Sequence, residues 1–113
     1  MDYLEERIKE IEEEPAYHVN GRKEKFTQQL LEQGFHDGDT FDLFQHLNDL
    51  ILPRLIRFKE LAENCIVIDF PLDDMIKAFA ILKQDKIRYT DQEEADIEMG
   101  LTAFAKYYRA LWW

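Results

Sequence analysis

The 113-residue sequence is short of the residues that break, cross-link or anchor a fold. It contains four glycines, three prolines and a single cysteine, Cys65. One cysteine excludes an internal disulfide bond and a zinc site built from several thiolates, and it is typical of a reducing compartment. No apolar run approaches the roughly 20 residues of a membrane-spanning helix. We therefore expect a soluble cytoplasmic protein in which Cys65, next to an apolar stretch, is buried and unreactive.

Positive charge is also scarce. Lys and Arg number 14 and Asp and Glu number 24, which gives a net charge of −10. This balance argues against generic binding to nucleic acid or to an anionic membrane, since both require a positive surface. It favours a protein partner with a cationic surface instead. Because apolar residues make up 46% of the chain, we expect a folded domain and not a disordered acidic segment.

Apolar residues recur at helical spacing in five segments, which predicts an all-α fold. The chain length suits one core, so we expect residues 1–113 to form a single-domain helical bundle. The predicted helices cover residues 2–14, about 22–33, about 41–63, a segment capped by Asp69, and 91 to about 111. Gly34 is placed to end the second helix in a left-handed conformation. Thr90 and Glu93 form a capping box that begins the fifth.

The third predicted helix contains Pro53 but keeps its apolar stripe in register through residues 44–62. A helix that ended at Pro53 would have no reason to keep this register. We therefore predict one long helix, kinked at Pro53, with the proline on the solvent side. The apolar connection that follows, residues 66–68, should be buried.

The last predicted helix is unusually apolar. Its core-facing residues are predicted to be Ile97, Leu101, Phe104, Tyr108 and Leu111, and Trp112 continues this stripe. The apolar surface extends well beyond this stripe, so the helix is either central in the bundle or pressed against another chain, as in a homodimer. The residues that extend it are Met99, Gly100, Ala103, Tyr107 and Ala110. Trp113 points away from the stripe, where it either caps the bundle or anchors a partner.

The first predicted helix holds a net charge of −5, half of the total. Its acids are either a solvated face or an acidic surface that enters a basic groove on a target protein. The partner-binding residues predicted on it are Glu5, Glu6, Glu10, Glu12 and Glu13, and Trp113 is a further one.

Two basic clusters could hold an anion such as a nucleotide. The first consists of Arg54, Arg57 and Lys59, and the second consists of Lys106 and Arg109. Arg54 lies at the margin of the apolar stripe of the third helix. There it either pairs with a carboxylate or lines a pocket for an anionic ligand.

A weaker alternative is a metal site formed by Asp42, His46 and Asp49, which would share one helix face at i, i+4 and i+7. A metal-dependent hydrolase could use such a site. The other interpretation is a solvated face in which two carboxylates flank an imidazole, and we favour it because no second cluster completes the site. Since no glycine-rich phosphate loop is present either, we expect no cofactor, no catalytic residue and no enzymatic activity.

Five segments together carry a family resemblance: FDL at 41–43, ILPRL at 51–55, RFK at 57–59, DMIKAF at 74–79 and GLTAFAKYYRALW at 100–112. Over residues 41–112 the chain resembles small uncharacterised proteins encoded by tailed bacteriophages and prophages. The resemblance implies a phage accessory protein in the host cytoplasm, and it transfers no catalytic residue. We therefore expect a protein that binds another protein and inhibits a host defence or regulatory factor. A nucleotide-sequestering protein is the alternative.

Overall fold

The computed structural model describes residues 2–113, and within that range the regular secondary structure is entirely helical. Five α-helices are present, as predicted, and the third and fifth are the longest. Their bounds are α1 Tyr3–Glu13, α2 Arg22–Gln33, α3 Leu43–Ala62, α4 Leu72–Lys83 and α5 Asp91–Tyr107. Short 3₁₀ turns occupy Pro15–Tyr17, Asp37–Thr40 and Tyr108–Ala110.

The chain divides into two compact units, and the boundary falls between Leu43 and Phe44. Each unit has an apolar cluster of its own. The single domain expected over residues 1–113 stays a prediction.

The first unit is built on α1 and α2. Asp2 caps α1 by accepting a hydrogen bond from the N–H of Glu5 at 2.8 Å. Ile11 of α1 is buried against Phe26 and Leu30 of α2. Gly34 ends α2 with a φ of +85°, and its N–H donates to the carbonyl of Leu30 at 3.0 Å. Glycine pays no steric penalty in this left-handed conformation, so the predicted helix end is confirmed.

The second unit packs α3 against the antiparallel pair α4 and α5. Its buried cluster draws on all three helices and consists of Leu52, Leu55, Leu72, Met75, Phe79 and Ala103. Lys77 of α4 forms an ion pair with Asp96 of α5 at 3.1 Å, on the flank of the helix pair. The predicted capping box of α5 is present: the N–H of Glu93 donates to Thr90 at 3.1 Å, and the N–H of Thr90 donates to Glu93 at 3.0 Å.

α3 continues through Pro53 without interruption, as predicted, and Pro53 is exposed. The kink expected there stays a prediction. The predicted start at residue 41 is wrong, because Asp42 has a φ of +49° and cannot belong to a right-handed helix. The predicted cap at Asp69 is also wrong. α4 begins three residues later, at Leu72, and no side chain caps it.

The connection after α3 is more exposed than predicted. The N–H groups of Cys65 and Ile66 both donate to the carbonyl of Ala62, which closes the helix in a turn and leaves Cys65 on the surface. Val67 is 87% exposed, whereas Ile66 and Ile68 are half-buried. Side chains of an extended segment point alternately to opposite sides, so only every second one reaches the core.

The buried side of α5 is rotated from the predicted one. Ile97, Gly100 and Ala103 face the core, whereas Leu101 and Tyr108 are exposed. The cause is the small size of Gly100 and Ala103, which lets α5 approach α4 more closely than a stripe of large residues would. The two terminal tryptophans follow the end of α5 and are exposed by 70% at Trp112 and 54% at Trp113. The prediction that Trp112 continues the core stripe is therefore wrong.

Candidate functional site

The outward surface of α1 is strongly acidic. Lys9 forms an ion pair with Glu13 at 3.7 Å, and Arg7 forms one with Glu10 at 3.1 Å. Within residues 2–113, Glu5, Glu6 and Glu12 make no ion pair and are exposed. We call these three residues the α1 acidic face. The first unit as a whole has twelve Asp and Glu against five Lys and Arg, a net charge of −7.

Arg7 contributes less to neutralising that face than its position in the sequence suggests. Its guanidinium contacts Glu10 of α1 and is shared with Asp39, whose two carboxylate oxygens it contacts at 2.5 and 2.7 Å. Asp39 also accepts the backbone N–H of His36 at 3.0 Å. Burial would raise the pKa of Asp39, but the hydrogen bond from His36 and the charge of Arg7 together hold that pKa below its usual value. Asp39 is thus an ionised internal partner for Arg7.

His36 is the buried aromatic member of the same unit. Its ring stacks on Phe26 with centroids 4.4 Å apart and meets the ring of Tyr17 edge-on at 5.6 Å. Burial lowers the pKa of His36, and the nearby charge of Asp39 opposes this only in part. The imidazole is therefore neutral at pH 7 and acts as part of the packing.

The first basic cluster is largely neutralised by neighbouring acids. Arg57 pairs with Glu60 at 2.8 Å, and Lys59 pairs with Asp73 at 2.7 Å, which raises the pKa of Lys59. Arg54 has no carboxylate partner among residues 2–113, and its guanidinium donates to the carbonyl of Leu50 at 2.9 Å. Of the two alternatives open for Arg54, the ion pair is absent among the described residues, and Arg54 instead borders an apolar cavity that Leu50 and Leu111 also line.

The second basic cluster consists of Lys106, in the last turn of α5, and Arg109, in the 3₁₀ turn that follows. The ammonium group of Lys106 is 5.2 Å from the ring centre of Tyr107, a cation–π contact. Arg109 is exposed in the 3₁₀ turn after α5. Neither residue lines the Arg54 cavity, so the structure does not combine the two clusters into one anion site there.

Asp42, His46 and Asp49 do not share a helix face. The left-handed backbone of Asp42 places it outside α3, so the i, i+4, i+7 spacing is not realised. Throughout the described residues, no three His, Cys, Asp or Glu side chains are grouped so that they could hold a metal ion.

An apolar groove runs along the second unit between α3 and α5, and we call it the α3–α5 groove. It consists of two adjoining cavities that share Ile51 and Phe104. The cavity beside Arg54 has a volume of about 250 Å³ and is completed by Leu50, Leu55, Phe58 and Leu111. The other has a volume of about 390 Å³ and is completed by Phe44, Leu47, Asn48, Phe79, Leu82 and Leu101.

Asn48 is the residue in this groove that the sequence analysis missed. It is only 3% exposed, and its side-chain nitrogen has no hydrogen-bond partner in the described part of the chain. A signal was present in the sequence, because Asn48 falls inside the apolar stripe of α3, between Phe44 and Ile51. A polar residue in such a stripe is a feature to question, since it is seldom buried without a partner.

Comparison with protein-family models, with curated proteins and with solved structures finds no match to this chain. The resemblance to phage proteins over residues 41–112 therefore stays a prediction. Between residues 2 and 113, no helix combines the length and the apolar character needed to cross a lipid bilayer.

Proposed function

We propose that this chain is a non-enzymatic accessory protein of phage type that binds a basic surface of another protein. In this proposal the partner is a defence or regulatory factor of the host cell, and binding inhibits it. The observation that supports the proposal is the α1 acidic face, where Glu5, Glu6 and Glu12 have no cationic partner among the described residues.

The acids of α1 affect the stability of the helix in both directions. Glu5 and Glu6 lie in its first turn, where the helix dipole favours negative charge, whereas Glu6 and Glu10 are like charges four residues apart, which destabilise a helix. Such a surface attracts a cationic partner over a distance of about one Debye length, roughly 8 Å at physiological ionic strength. This attraction speeds association and favours partners of the opposite charge. A binding role explains why the charge is concentrated here.

The proposal is tested by capturing partners from host-cell lysate with the full chain at low and at high salt. We expect a specific partner that is retained at low salt and released at high salt. A variant carrying Glu5→Gln and Glu12→Gln should capture severalfold less of it. The matched control carries Glu94→Gln and Glu98→Gln, which removes the same charge from exposed positions of α5, and should capture as much as the unmodified chain.

Inhibition is then read from the activity of the captured partner with and without the added chain. Equal capture by the two double variants would show that the α1 acidic face is not the binding surface. The absence of a specific partner at any salt concentration would overturn the proposal as a whole.

Arg54 supports a second function, the binding of a small anion with an apolar body. Its guanidinium has no carboxylate partner among the described residues and borders a cavity whose other walls are apolar. Arginine binds carboxylate and phosphate groups well, because it presents several donors in a fixed plane. No second charged residue lines the cavity, so a ligand with one anionic group, such as a nucleoside monophosphate, fits better than a triphosphate.

A thermal-shift series with nucleoside monophosphates tests this second function. Stabilisation should be lost in Arg54→Ala and kept in the matched control Arg57→Ala, because Arg57 is already paired with Glu60. Equal responses from both variants would exclude Arg54 as the anion ligand.

A further inference from the structure

The α3–α5 groove is bordered by large apolar side chains that are open to water. Ile51 and Phe104 line both of its cavities, and the ring of Tyr108 meets the ring of Phe104 edge-on with centroids 5.5 Å apart. Large continuous apolar surfaces are rare on monomeric proteins and mark sites of interaction. The exposed apolar residues along the groove are Phe44, Leu47, Leu50, Leu101 and Tyr108.

The two tryptophans of the chain follow the last residue that lines this groove. Leu111 lines the cavity beside Arg54, and Trp112 and Trp113 come directly after it, both on the surface. They are the only tryptophans in the sequence. One chain therefore presents an apolar groove and also two exposed aromatic side chains of the kind that anchor protein interfaces.

The apolar area exposed here matches what a stable dimer buries. The five groove residues and the two tryptophans are 39–70% exposed. Together they present roughly 600–700 Å², since a fully buried aromatic side chain covers about 150–250 Å². The largest apolar patch of an ordinary monomer covers about 300–600 Å², whereas a standard interface buries about 800 Å² of each partner. These residues thus supply most of one face of a dimer.

The charge in the groove favours an aromatic occupant over a basic one. Among the described residues, Arg54 is the only charged residue that lines the two cavities. Its guanidinium donates to the carbonyl of Leu50 and has no carboxylate partner within residues 2–113. A basic segment of a partner would be repelled here. An indole ring is attracted instead, because tryptophan forms the strongest cation–π contacts with arginine.

We propose that the α3–α5 groove is the docking site for Trp112 and Trp113 of a second copy of this chain, with one indole over Arg54. Each copy receives the tryptophans of the other, so two copies close a symmetric dimer. The cavities have volumes of about 250 and 390 Å³. Sites of about 300–1,000 Å³ hold drug-sized ligands, and an indole ring is smaller than these. An indole in the Arg54 cavity excludes a nucleotide from the same copy.

Tryptophan fluorescence tests the docking directly, because the chain has no tryptophan other than these two. The variant with Trp112→Ser and Trp113→Ser gives no tryptophan emission but keeps the groove. We would titrate this tryptophan-free chain into the dilute unmodified chain and follow the emission wavelength. The emission should move to shorter wavelengths as the indoles leave water and enter the groove of the added chain.

Substitutions in the tryptophan-free chain show where the indoles bind. Leu50→Lys places a charge on the border of the groove and should weaken the binding at least tenfold. The matched control Ile56→Lys adds the same charge at an exposed position of α3 that lines neither cavity, and it should leave the binding unchanged. Arg54→Ala should weaken the binding about two- to fivefold, as expected for one cation–π contact.

The salt dependence separates this inference from the proposed function. Salt screens the repulsion between two chains that each have a net charge of −10, so high salt should preserve or strengthen the docking. A partner bound to the α1 acidic face should be released under the same conditions. Either result can therefore fail without the other.

Three outcomes would overturn the inference. The first is an emission wavelength that does not change at any concentration of the added chain. The second is equal weakening by Leu50→Lys and Ile56→Lys. The third is an emission that is already at short wavelength in the dilute chain and does not respond to the added chain, which would place the indoles against their own chain. If Leu50→Lys does not fold, the titration with the tryptophan-free chain still decides, because it leaves the groove unchanged.

Discussion

Gly100 of α5 lies directly against Ala78 of α4, and a methyl group on Gly100 would overlap both the Ala78 side chain and the carbonyl of Asp74. The two helices are therefore in contact near their backbones at this point. This contact determines which side of α5 is buried. The side that faces α4 is the one that contains the smallest residue, Gly100, and not the one that contains the largest residues. For the same reason, replacing Gly100 with alanine should lower the stability of the protein, although this change usually raises the stability of an exposed helix.

Gly100→Ala should destabilise the protein by about 1–3 kcal/mol, the usual cost of overpacking a well-packed core. In an exposed helix the same change is stabilising by about 0.5–1 kcal/mol, since alanine favours the helix. Urea unfolding, followed by circular dichroism, shows whether Gly100→Ala lowers or raises the free energy of unfolding. The control Thr102→Ala, at an exposed position of α5, should change the free energy of unfolding by less than about 0.5 kcal/mol. A more stable Gly100→Ala variant would contradict the close contact.

The ion pair between Arg7 and Asp39 should contribute measurably to the stability of the first unit. Both side chains are mostly buried, with 18% and 21% of their surface exposed, and two hydrogen bonds join them. A double-mutant cycle with Arg7→Ala and Asp39→Ala should give a coupling energy of about 1–2 kcal/mol. The same cycle on the exposed pair Lys9 and Glu13 should give about 0.3 kcal/mol. Similar values for the two pairs would refute this distinction.

Protonation of His36 should weaken the fold in mild acid. Its pKa in the native state lies below the ordinary value of 6.5 because the ring is buried. Below pH 6.5 the unfolded chain takes up a proton at this histidine that the native chain resists, so stability falls as the pH decreases from about 7.5 to 5. Thermal unfolding across this window should show the loss in the unmodified chain. His36→Phe, which keeps an aromatic ring against Phe26, should show a smaller loss.

The control for this measurement is His46→Gln, because His46 is exposed on α3. It should keep the pH dependence of the unmodified chain. A second loss is expected at lower pH, because the native pKa of Asp39 is also lowered. The stabilisation that ionised Asp39 contributes to the fold is complete above pH 3.8, the ordinary pKa of the group, and is lost as the pH falls through its lower native pKa. A profile of His36→Phe that matches the unmodified chain between pH 7.5 and 5 would eliminate His36 as the cause.

The exposed end of the last helical segment is expected to mediate self-association. Trp112 and Trp113 both lie on the surface, and exposed aromatic clusters of this kind are typical of interfaces. Light scattering at high protein concentration should give the mass of a homodimer. The double variant Trp112→Ser and Trp113→Ser should be monomeric. The matched control, Val67→Ser with Ile87→Ser, removes two exposed apolar residues from connecting segments and should stay dimeric. A monomeric mass for the unmodified chain at every concentration would exclude this interface.

The features predicted correctly from the sequence are those that short-range signals determine. Gly34 ends α2, and Thr90 with Glu93 begins α5, because each signal acts through hydrogen bonds within a few residues. The continuity of α3 through Pro53 was also predictable, since the register of the apolar residues persists on both sides.

The features that could not be predicted depend on neighbours distant in sequence or on a single backbone angle. Gly100 was recognised as part of the wide apolar surface of the last helix, but its spacing could not show that α5 meets α4 there, because that depends on Ala78 and Asp74 of the neighbouring helix. The left-handed angle at Asp42 removes the spacing on which the metal site depended. Asn48 was visible as a polar residue in an apolar stripe, but whether its amide finds a partner depends on which side chains line the facing cavity.

The boundary between Leu43 and Phe44 has a consequence for how the chain can be divided. Each apolar cluster draws its members from one side of this boundary, so a cut here would pass through neither core. The first segment, 43 residues long, is close to the size of about 40 residues below which domains usually need extra stabilisation. The second is longer and has the larger cluster, so it is the segment we expect to fold when produced alone.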